Sequence, residues 1–218
     1  MRDICIKSDF TDYYDNLSTD DAVVKYERLL NNSSQRGKAL TFLRSLGIDT
    51  VQIMAASKYI GTSNKLVVYT DPTKHHSDGK VIMSVDEAVR AYPNYPASQY
   101  FLTDGRVSMK YVQVGRKRFN ILYRKDEPYT LDPGKIIDLT EISSDYNQQI
   151  KLPIFSIDYI SINNKMVATD FNEVEQLDRF GLEKFMSAEK VIEEIHDALE
   201  FFNRKWGKLN GRRTKSYR

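Results

Sequence analysis

The fold of this chain is decided by two short runs of sequence, Phe155-Ser-Ile-Asp158-Tyr-Ile and Lys165-Met-Val-Ala-Thr-Asp170-Phe-Asn172. Both runs are rich in apolar, β-branched and aromatic residues, and a pair of asparagines lies between them. This pattern predicts a β-hairpin, because such residues favour strands and asparagine favours turns. Each predicted strand carries one aspartate among residues that are suited to burial.

The two aspartates are predicted to meet across the hairpin. A three-residue loop over 163–165 places Asp158 opposite Asp170, and the strand period of two puts Asn172 on the same face as Asp170. Two ionised carboxylates about 5 Å apart repel by roughly 3 kcal/mol at an effective dielectric near 20, so the pair needs a cation, a proton or open water. Mg²⁺ fits best, since it prefers carboxylate and carbonyl oxygens. A surface hairpin with solvated acids is the alternative, although the apolar neighbours indicate that at least one face is covered.

A second candidate is the segment from Lys74 to Lys80, which contains Gly79 and two adjacent histidines. Its backbone amides and ammonium groups could hold a phosphate. The segment lacks the spacing of a P-loop, and an exposed hairpin tip is the alternative. Zinc is disfavoured, because His75 and His76 would point to opposite faces of a strand and no third ligand is evident.

A third candidate is the basic hairpin from Lys110 to Asn120, which turns at Gly115-Arg116. Alternation is expected to place Arg116 and Arg118 on one face. If that face looks toward the acidic hairpin, Lys110 and Arg118 could hold the phosphates that a metal bridges. If it looks outward, it is ordinary surface or an RNA-contacting patch, and spacing alone does not decide between the two.

The remaining pattern predicts a mixed α/β first half and a β-rich second half. Helices are expected over 20–30, 35–46, 85–92 and from Ser187 onward, and strands over 4–7, 50–54, 66–70, 99–102, 107–114, 117–124 and 136–139. A capping box at Ser84-Val-Asp-Glu87 begins one helix, and Gly47 ends another.

Composition excludes several classes of protein. The chain has 218 residues, 41% of them apolar, which is ordinary for a globular protein. No apolar run approaches the ~18 residues that span a bilayer, and the N-terminus lacks the hydrophobic segment of a signal peptide, so no membrane partner and a cytoplasmic location are expected. Cys5 is the only cysteine, which excludes an intrachain disulfide and a cysteine-based zinc cluster.

The charge is unevenly distributed along the chain. Residues 204–218 contain seven basic residues and no acid, whereas 25 basic and 30 acidic residues precede them. Such a tail could contact nucleic acid or another polyanion. A solubilising end that wanders in solvent is an equally good interpretation.

The hairpin also resembles the C-terminal metal-binding segment of ATP-grasp carboxylate-amine ligases. The resemblance rests on Ile157-Asp158-Tyr, Val167-Ala-Thr-Asp170-Phe-Asn172 and Gln176-Leu-Asp-Arg-Phe-Gly181. It implies that Asp158, Asp170 and Asn172 hold the Mg²⁺ that bridges the phosphates of ATP. The matching part covers about residues 153–181, and Glu173-Val-Glu175 stands where family members commonly have Pro-Gly. The layout of the chain is also similar to a group of uncharacterised phage and bacterial proteins, which would imply the cytoplasm of a host cell.

From this resemblance we expect an α/β (α+β) protein with a reduced ATP-grasp-like fold, whose mixed or antiparallel sheets are flanked by helices. Its expected parts are an α/β subdomain over 1–96, an ATP-grasp-like subdomain over 97–203 and a basic tail over 204–218. The implied activity is an ATP- and Mg²⁺-dependent ligase that joins a small-molecule or peptide carboxylate to an amine through an acyl-phosphate. Lys80, Lys110 and Arg118 would bind phosphate, with Arg118 also catalytic. The alternative is a non-catalytic phage-type protein that contacts nucleic acid or a host protein through the basic hairpin and the tail.

Overall fold

The computed structural model describes residues 36–71, 79–132, 134–142, 150, 154–172, 185–187, 189–194 and 196–197. Within these ranges the elements are α1 (Arg36–Ser45), β1 (Ile53–Ala55), β2 (Lys65–Tyr69), β3 (Lys80–Ser84), α2 (Val85–Ala91), β4 (Pro96–Gln99), β5 (Val107–Val114), β6 (Lys117–Arg124), β7 (Lys135–Ile142), β8 (Ile154–Ile162) and β9 (Lys165–Asn172). Residues 189–194 and 196–197 are helical. The predicted helix over 20–30, Cys5, both adjacent histidines and the basic tail lie outside the described residues. No helix of the described part is long and apolar enough to cross a membrane.

Helix α1 forms because its apolar residues recur at helical spacing and its C-terminus is capped. Ala39, Leu40 and Leu43 are buried on one side of the helix. Gly47 ends it with φ of 82°, which glycine adopts without steric cost. The amide of Ile48 donates to the carbonyl of Leu43 at 3.1 Å, the bond that defines a Schellman cap.

The first sheet is antiparallel, with strand order β1-β4-β2-β3. One of its faces is apolar, with buried Leu66, Val68 and Ala97, and Ala88 of helix α2 belongs to the same cluster. Helix α2 begins where the sequence predicts it, because the side chains of Ser84 and Glu87 form both hydrogen bonds of the capping box.

The second sheet is antiparallel as well, with strand order β7-β6-β5-β8-β9. Its central strands are buried on both faces, since Val112 and Phe119 lie on one side, Phe155 lies on the other, and all three are 0% exposed. Helix α1 covers the second of these faces, where the rings of Phe42 and Phe171 meet edge to face at 6.1 Å.

The connection from α1 to β1 extends the second sheet. Val51 donates its amide to the carbonyl of Ala168 at 2.9 Å, and Ala168 donates to the carbonyl of Asp49 at 2.8 Å. Because this segment continues into β1, it ties helix α1 and the first sheet to the edge of β9.

These observations confirm the α+β class with antiparallel sheets. The strand predicted over 99–102 is wrong, since β4 begins at Pro96, where a proline is tolerated because it is the first residue of the strand. Gln99 is the last strand residue of the first sheet and Val107 is the first of the second. The predicted boundary after residue 96 therefore lies inside β4, and residues 100–106 link the two sheets.

Candidate functional site

The two aspartates of the β8–β9 hairpin lie directly opposite each other. Asp158 and Asp170 are paired across the two strands, and the backbone has a bulge between this pair and the next one, Tyr159 with Ala168. Thr169 is the extra residue of the bulge, and its hydroxyl donates to the carbonyl of Asp158 at 3.2 Å. Bulges re-aim side chains, and this one is located at the acidic pair.

The predicted pairing is confirmed, but the predicted loop is wrong. The turn consists of Asn163 and Asn164 alone, with φ of 51° and 60°, the left-handed values that a tight two-residue hairpin turn needs. Lys165 is already in β9, opposite Ile162. A two-residue turn followed by a one-residue bulge gives the same pairing at the aspartates as a three-residue loop without a bulge.

Asn172 lies two residues beyond Asp170 and therefore on the same face of the sheet. It is paired with Ser156, and its amide nitrogen donates to the Ser156 hydroxyl at 3.5 Å. This orientation leaves the amide oxygen available as a ligand on the face that carries both carboxylates.

Each aspartate contacts a cation. Arg36 Nη2 lies 2.7 Å from Asp170 Oδ2, and Lys110 Nζ lies 3.0 Å from Asp158 Oδ1. Arg36 also donates through Nη1 to the carbonyl of Thr169 at 2.9 Å. Arg36 is a site residue that the sequence motifs did not single out, although its position carries one signal, because a base in the first turn of a helix is opposed by the helix dipole. Such a residue needs a partner outside its helix.

The first sheet supplies the other side of the site. Arg36 Cζ lies 5.0 Å from the centre of the Tyr69 ring, a cation–π distance, and the Tyr69 and Ser98 hydroxyls are hydrogen-bonded at 3.0 Å. Lys80 is paired with Tyr69 across β2 and β3. Burial, followed by the charge of Arg36, lowers the pKa of Lys80 to about 8, while Asp170 opposes this change. Lys80 is thus within electrostatic reach of the acidic hairpin.

Arg118 is not brought to this group. It is paired with Gln113, whereas Lys110 is paired with Asp158 on one side and with Ile121 on the other. Since Gln113 is three residues from Lys110, the strand period puts Arg118 on the opposite face of the sheet. There it hydrogen-bonds the Tyr111 hydroxyl, whose pKa is raised by burial and lowered by the charge of Arg118, with burial the larger effect. Arg116, expected on the same face as Arg118, is an exposed turn residue.

A cavity of about 550 Å³ lies at the turn end of the acidic hairpin, within the size range of small-molecule sites. It is lined by residues of both sheets and of the link between them: Thr50, Val51, Gln52, Met54, Tyr59, Ile60, Gly61, Gln99, Phe101, Ile162, Asn163, Lys165 and Val167. Val167 is paired with Ile160, which lies two residues from Asp158 and therefore about 7 Å along the same face. None of the charged side chains of the site lines this cavity, and Met54 and Gln99, which do, belong to the face of the first sheet opposite Tyr69 and Lys80.

The donor set of the hairpin fits a magnesium ion. Within the described residues no three histidine, cysteine, aspartate or glutamate side chains are grouped as for an all-protein metal centre. Two carboxylates and an amide oxygen are nevertheless what Mg²⁺ uses when a phosphate and waters complete its shell. Asp158 Oδ1 is buried and accepts no hydrogen bond from the described residues, although Lys110 lies near it. An oxygen in this state is suited to a further ligand.

No protein-family model matches the chain, and no curated protein matches its sequence. Solved structures do match. The D-alanine-D-alanine ligase from Coxiella burnetii is similar with a TM-score of 0.51 and 13% identity, over 84% of this chain and 61% of that one. The ATP-grasp ligase PsnB, complexed with precursor peptide PsnA2 and AMPPNP, has a TM-score of 0.52 and 10% identity, over 78% and 61%. A RiPP-associated ATP-grasp ligase from Chryseobacterium gregarium, in complex with ADP and a leader and core peptide, has a TM-score of 0.50 and 13% identity, over 88% and 67%.

The likeness confirms the predicted ATP-grasp-like fold. At these identities it shows the fold alone. The chain spans about three fifths to two thirds of the length of these proteins.

Proposed function

We propose that this protein is an ATP- and Mg²⁺-dependent ligase that activates a carboxylate for attack by an amine or a similar nucleophile. The observation that carries the proposal is the group of charges on the acidic hairpin, where two opposed aspartates are surrounded by Arg36, Lys80 and Lys110 within an ATP-grasp-like fold. Neither the fold nor the charges alone would support it, because folds host many functions and charges are common on surfaces.

The three cations are suited to a nucleoside triphosphate. Arg36 offers a planar guanidinium that can bind two phosphate oxygens at once, and Lys80 and Lys110 add two ammonium groups. Arg36 takes the place that the sequence analysis assigned to Arg118.

Asp158, Asp170 and Asn172 would hold the Mg²⁺. When bound, the ion supplies neutralisation of phosphate charge and fixes the orientation of the transferred phosphoryl group. The residues of this chain would hold the phosphates in place and keep positive charge where negative charge develops. No side-chain nucleophile is needed, since in phosphoryl transfer positioning and electrostatics supply most of the catalysis.

The acceptor is proposed as a small molecule or a peptide. Two of the similar structures contain precursor, leader or core peptides, which supports a peptide as one of the two substrate classes to test.

The test is thermal unfolding with and without ATP and Mg²⁺. A ligand at 100 times its dissociation constant adds about 2.7 kcal/mol to the free energy of unfolding, which is a readily measured shift. We expect this shift in the wild type and its loss in Asp170→Asn. The matched control is Asp138→Asn, which removes the same charge from an exposed position of β7 and should retain the shift. Absence of a shift with every nucleotide in the wild type would remove the proposal.

A further inference from the structure

Both carboxylates of the proposed metal site already have partners in this structure. The oxygens of Asp170 are occupied by Arg36 Nη2 at 2.7 Å and by the Phe171 amide at 3.0 Å. Asp158 Oδ1 faces Lys110 Nζ at 3.0 Å. A metal ion that approached this hairpin alone would have to compete with both cations.

The two cations differ in how they are held. Arg36 has three contacts, with Asp170, with the Thr169 carbonyl and with the Tyr69 ring. The Lys110 contact with Asp158 lacks hydrogen-bond alignment, since Asp158 Oδ1 accepts no hydrogen bond within the described part of the chain. The Asp170 carboxylate is therefore the more strongly blocked of the two.

The sum of charges points the same way. Of the described residues in this group, three are basic, Arg36, Lys80 and Lys110, and two are acidic. The ligand-free group thus has a net positive charge and attracts an anion more strongly than a cation.

We propose that this site binds polyphosphate first and the metal ion second, with Arg36 and Lys110 as the residues that impose the order. This inference rests on the proposed function and adds to it a rule for how the site is filled. Phosphate oxygens offer the guanidinium and the ammonium group new partners, so binding of the polyanion releases Asp170 and Asp158 for the metal. A metal ion that binds without phosphate would lie close to the positive charges of Arg36 and Lys110, which repel it.

The rule predicts effects of opposite sign on the two ligands. Even at the dielectric of bulk water, a unit charge about 5 Å from a doubly charged ion changes the affinity for that ion more than tenfold. We therefore expect Arg36→Met and Lys110→Met to bind Mn²⁺ at least about tenfold more tightly than the wild type without nucleotide. The same variants should bind metal-free ATP, measured in EDTA, at least about tenfold more weakly. The effect on Mn²⁺ should be larger for Arg36→Met.

The experiment is a titration with Mn²⁺ followed by electron paramagnetic resonance, paired with calorimetry of metal-free ATP and of tripolyphosphate. Lys117→Met is the matched control, because it removes the same charge from a similar pair, Lys117 Nζ to Glu141 Oε1 at 2.9 Å, on another strand. This control should change neither affinity more than about twofold, since Lys117 is 35% exposed against 10% for Lys110, and salt bridges at more exposed positions are weak.

Mn²⁺ binding that is unchanged or weakened in both variants would overturn the order. If the variants do not fold, the wild-type affinities alone test the binding order. Tighter binding of free Mn²⁺ than of metal-free ATP by the wild type would also overturn that order. If either result is found while the wild type still binds ATP, the binding order is rejected and the proposed function stands. If the wild type binds neither ATP nor tripolyphosphate, both the binding order and the proposed function are rejected.

Discussion

At the residue scale, Arg36 decides more about the site than any residue that the sequence pattern singled out. Its partner, Asp170, lies more than 130 positions away in the chain, and both side chains are about one fifth exposed. Burial tends to lower the pKa of Arg36, but the neighbouring negative charges, led by Asp170, raise it above its usual value. The guanidinium therefore remains a cation throughout the neutral pH range.

Lys80 behaves differently, because the pKa of its ammonium group is lowered to about 8. Below this pH the group is charged and can bind phosphate, whereas above it the charge is lost before the ligand arrives. We predict that the affinity for ATP is constant up to about pH 7.5 and is about tenfold weaker at pH 9 than at pH 7. The measurement is calorimetric titration across this range at constant ionic strength.

Lys80→Arg is the control for this pH dependence, because a guanidinium stays charged beyond pH 12. The variant should show a flat profile between pH 7 and pH 9, while every other titrating group is retained. A decline of the same steepness in the wild type and in this variant would exclude Lys80 as its source.

The residues show where sequence reasoning succeeds. Asp158, Asp170 and Asn172 could be placed on one face because the strand period of two is fixed by geometry. The placement of Arg118 was also within reach. The two-residue turn at 115–116 pairs Lys110 with Ile121. Arg118 is three residues from Ile121 in the same strand, and an odd spacing puts it on the opposite face from Lys110. The position of Arg36 in the first turn of a helix signals a partner outside that helix, but the identity of the partner was beyond reach, since nothing local specifies a contact with a strand so distant in sequence.

At the element scale, the β8–β9 hairpin shows how two errors can cancel. The sequence predicts a three-residue loop, whereas the structure has a two-residue turn and the bulge at Thr169. Bulges are poorly encoded in sequence, because the extra residue can be almost any type when its neighbours are paired on both sides. The edge of β9 is paired here, through Ala168, with the segment that follows α1.

The tip of this hairpin is fixed to the link between the sheets. Asp104 accepts hydrogen bonds from the Ser161 hydroxyl at 2.8 Å and from the Asn164 amide at 2.9 Å. Both hydrogen bonds lower the pKa of Asp104, and the bond from the Asn164 amide has the larger effect. One exposed carboxylate thus holds the turn of the acidic hairpin against residues 104–106.

We predict that Asp104→Ala frees the hairpin tip. Hydrogen exchange of the Asn164 amide should become at least about fivefold faster at neutral pH, because the amide loses its acceptor and local opening requires less free energy. Exchange in β5 and β6, which are paired with each other along their whole length, should stay the same. Glu87→Ala is a matched control, since it removes another exposed carboxylate that caps a backbone amide, in helix α2. Equal acceleration at Asn164 in both variants would contradict the role of Asp104.

At the scale of the whole molecule, the described residues form two hydrophobic cores. One lies between α1, the second sheet and the residues around Met186 and Val191, and the other lies between the first sheet and α2. The proposed ligand site lies between these cores, with Lys80 and Tyr69 on one side and the acidic hairpin on the other. A ligand held by both sides would therefore couple two parts that each have a core of their own.

This arrangement predicts where ligand binding should protect the backbone. With AMPPNP and Mg²⁺ we expect hydrogen exchange over the first sheet, in peptides covering Lys65–Tyr69 and Lys80–Ser84, to slow at least about tenfold, because opening of this smaller core then also requires release of the ligand. Peptides over Val107–Val114 should change little, since that strand is central in the larger core and already opens rarely. The full-length chain is exchanged for timed intervals, quenched and digested, so that mass spectrometry of its peptides measures both regions in one sample, and Asp170→Asn serves as the unliganded reference. Protection confined to the second sheet would mean that the nucleotide does not bridge the two cores. The binding site would then exclude Lys80 and Tyr69 of the first sheet.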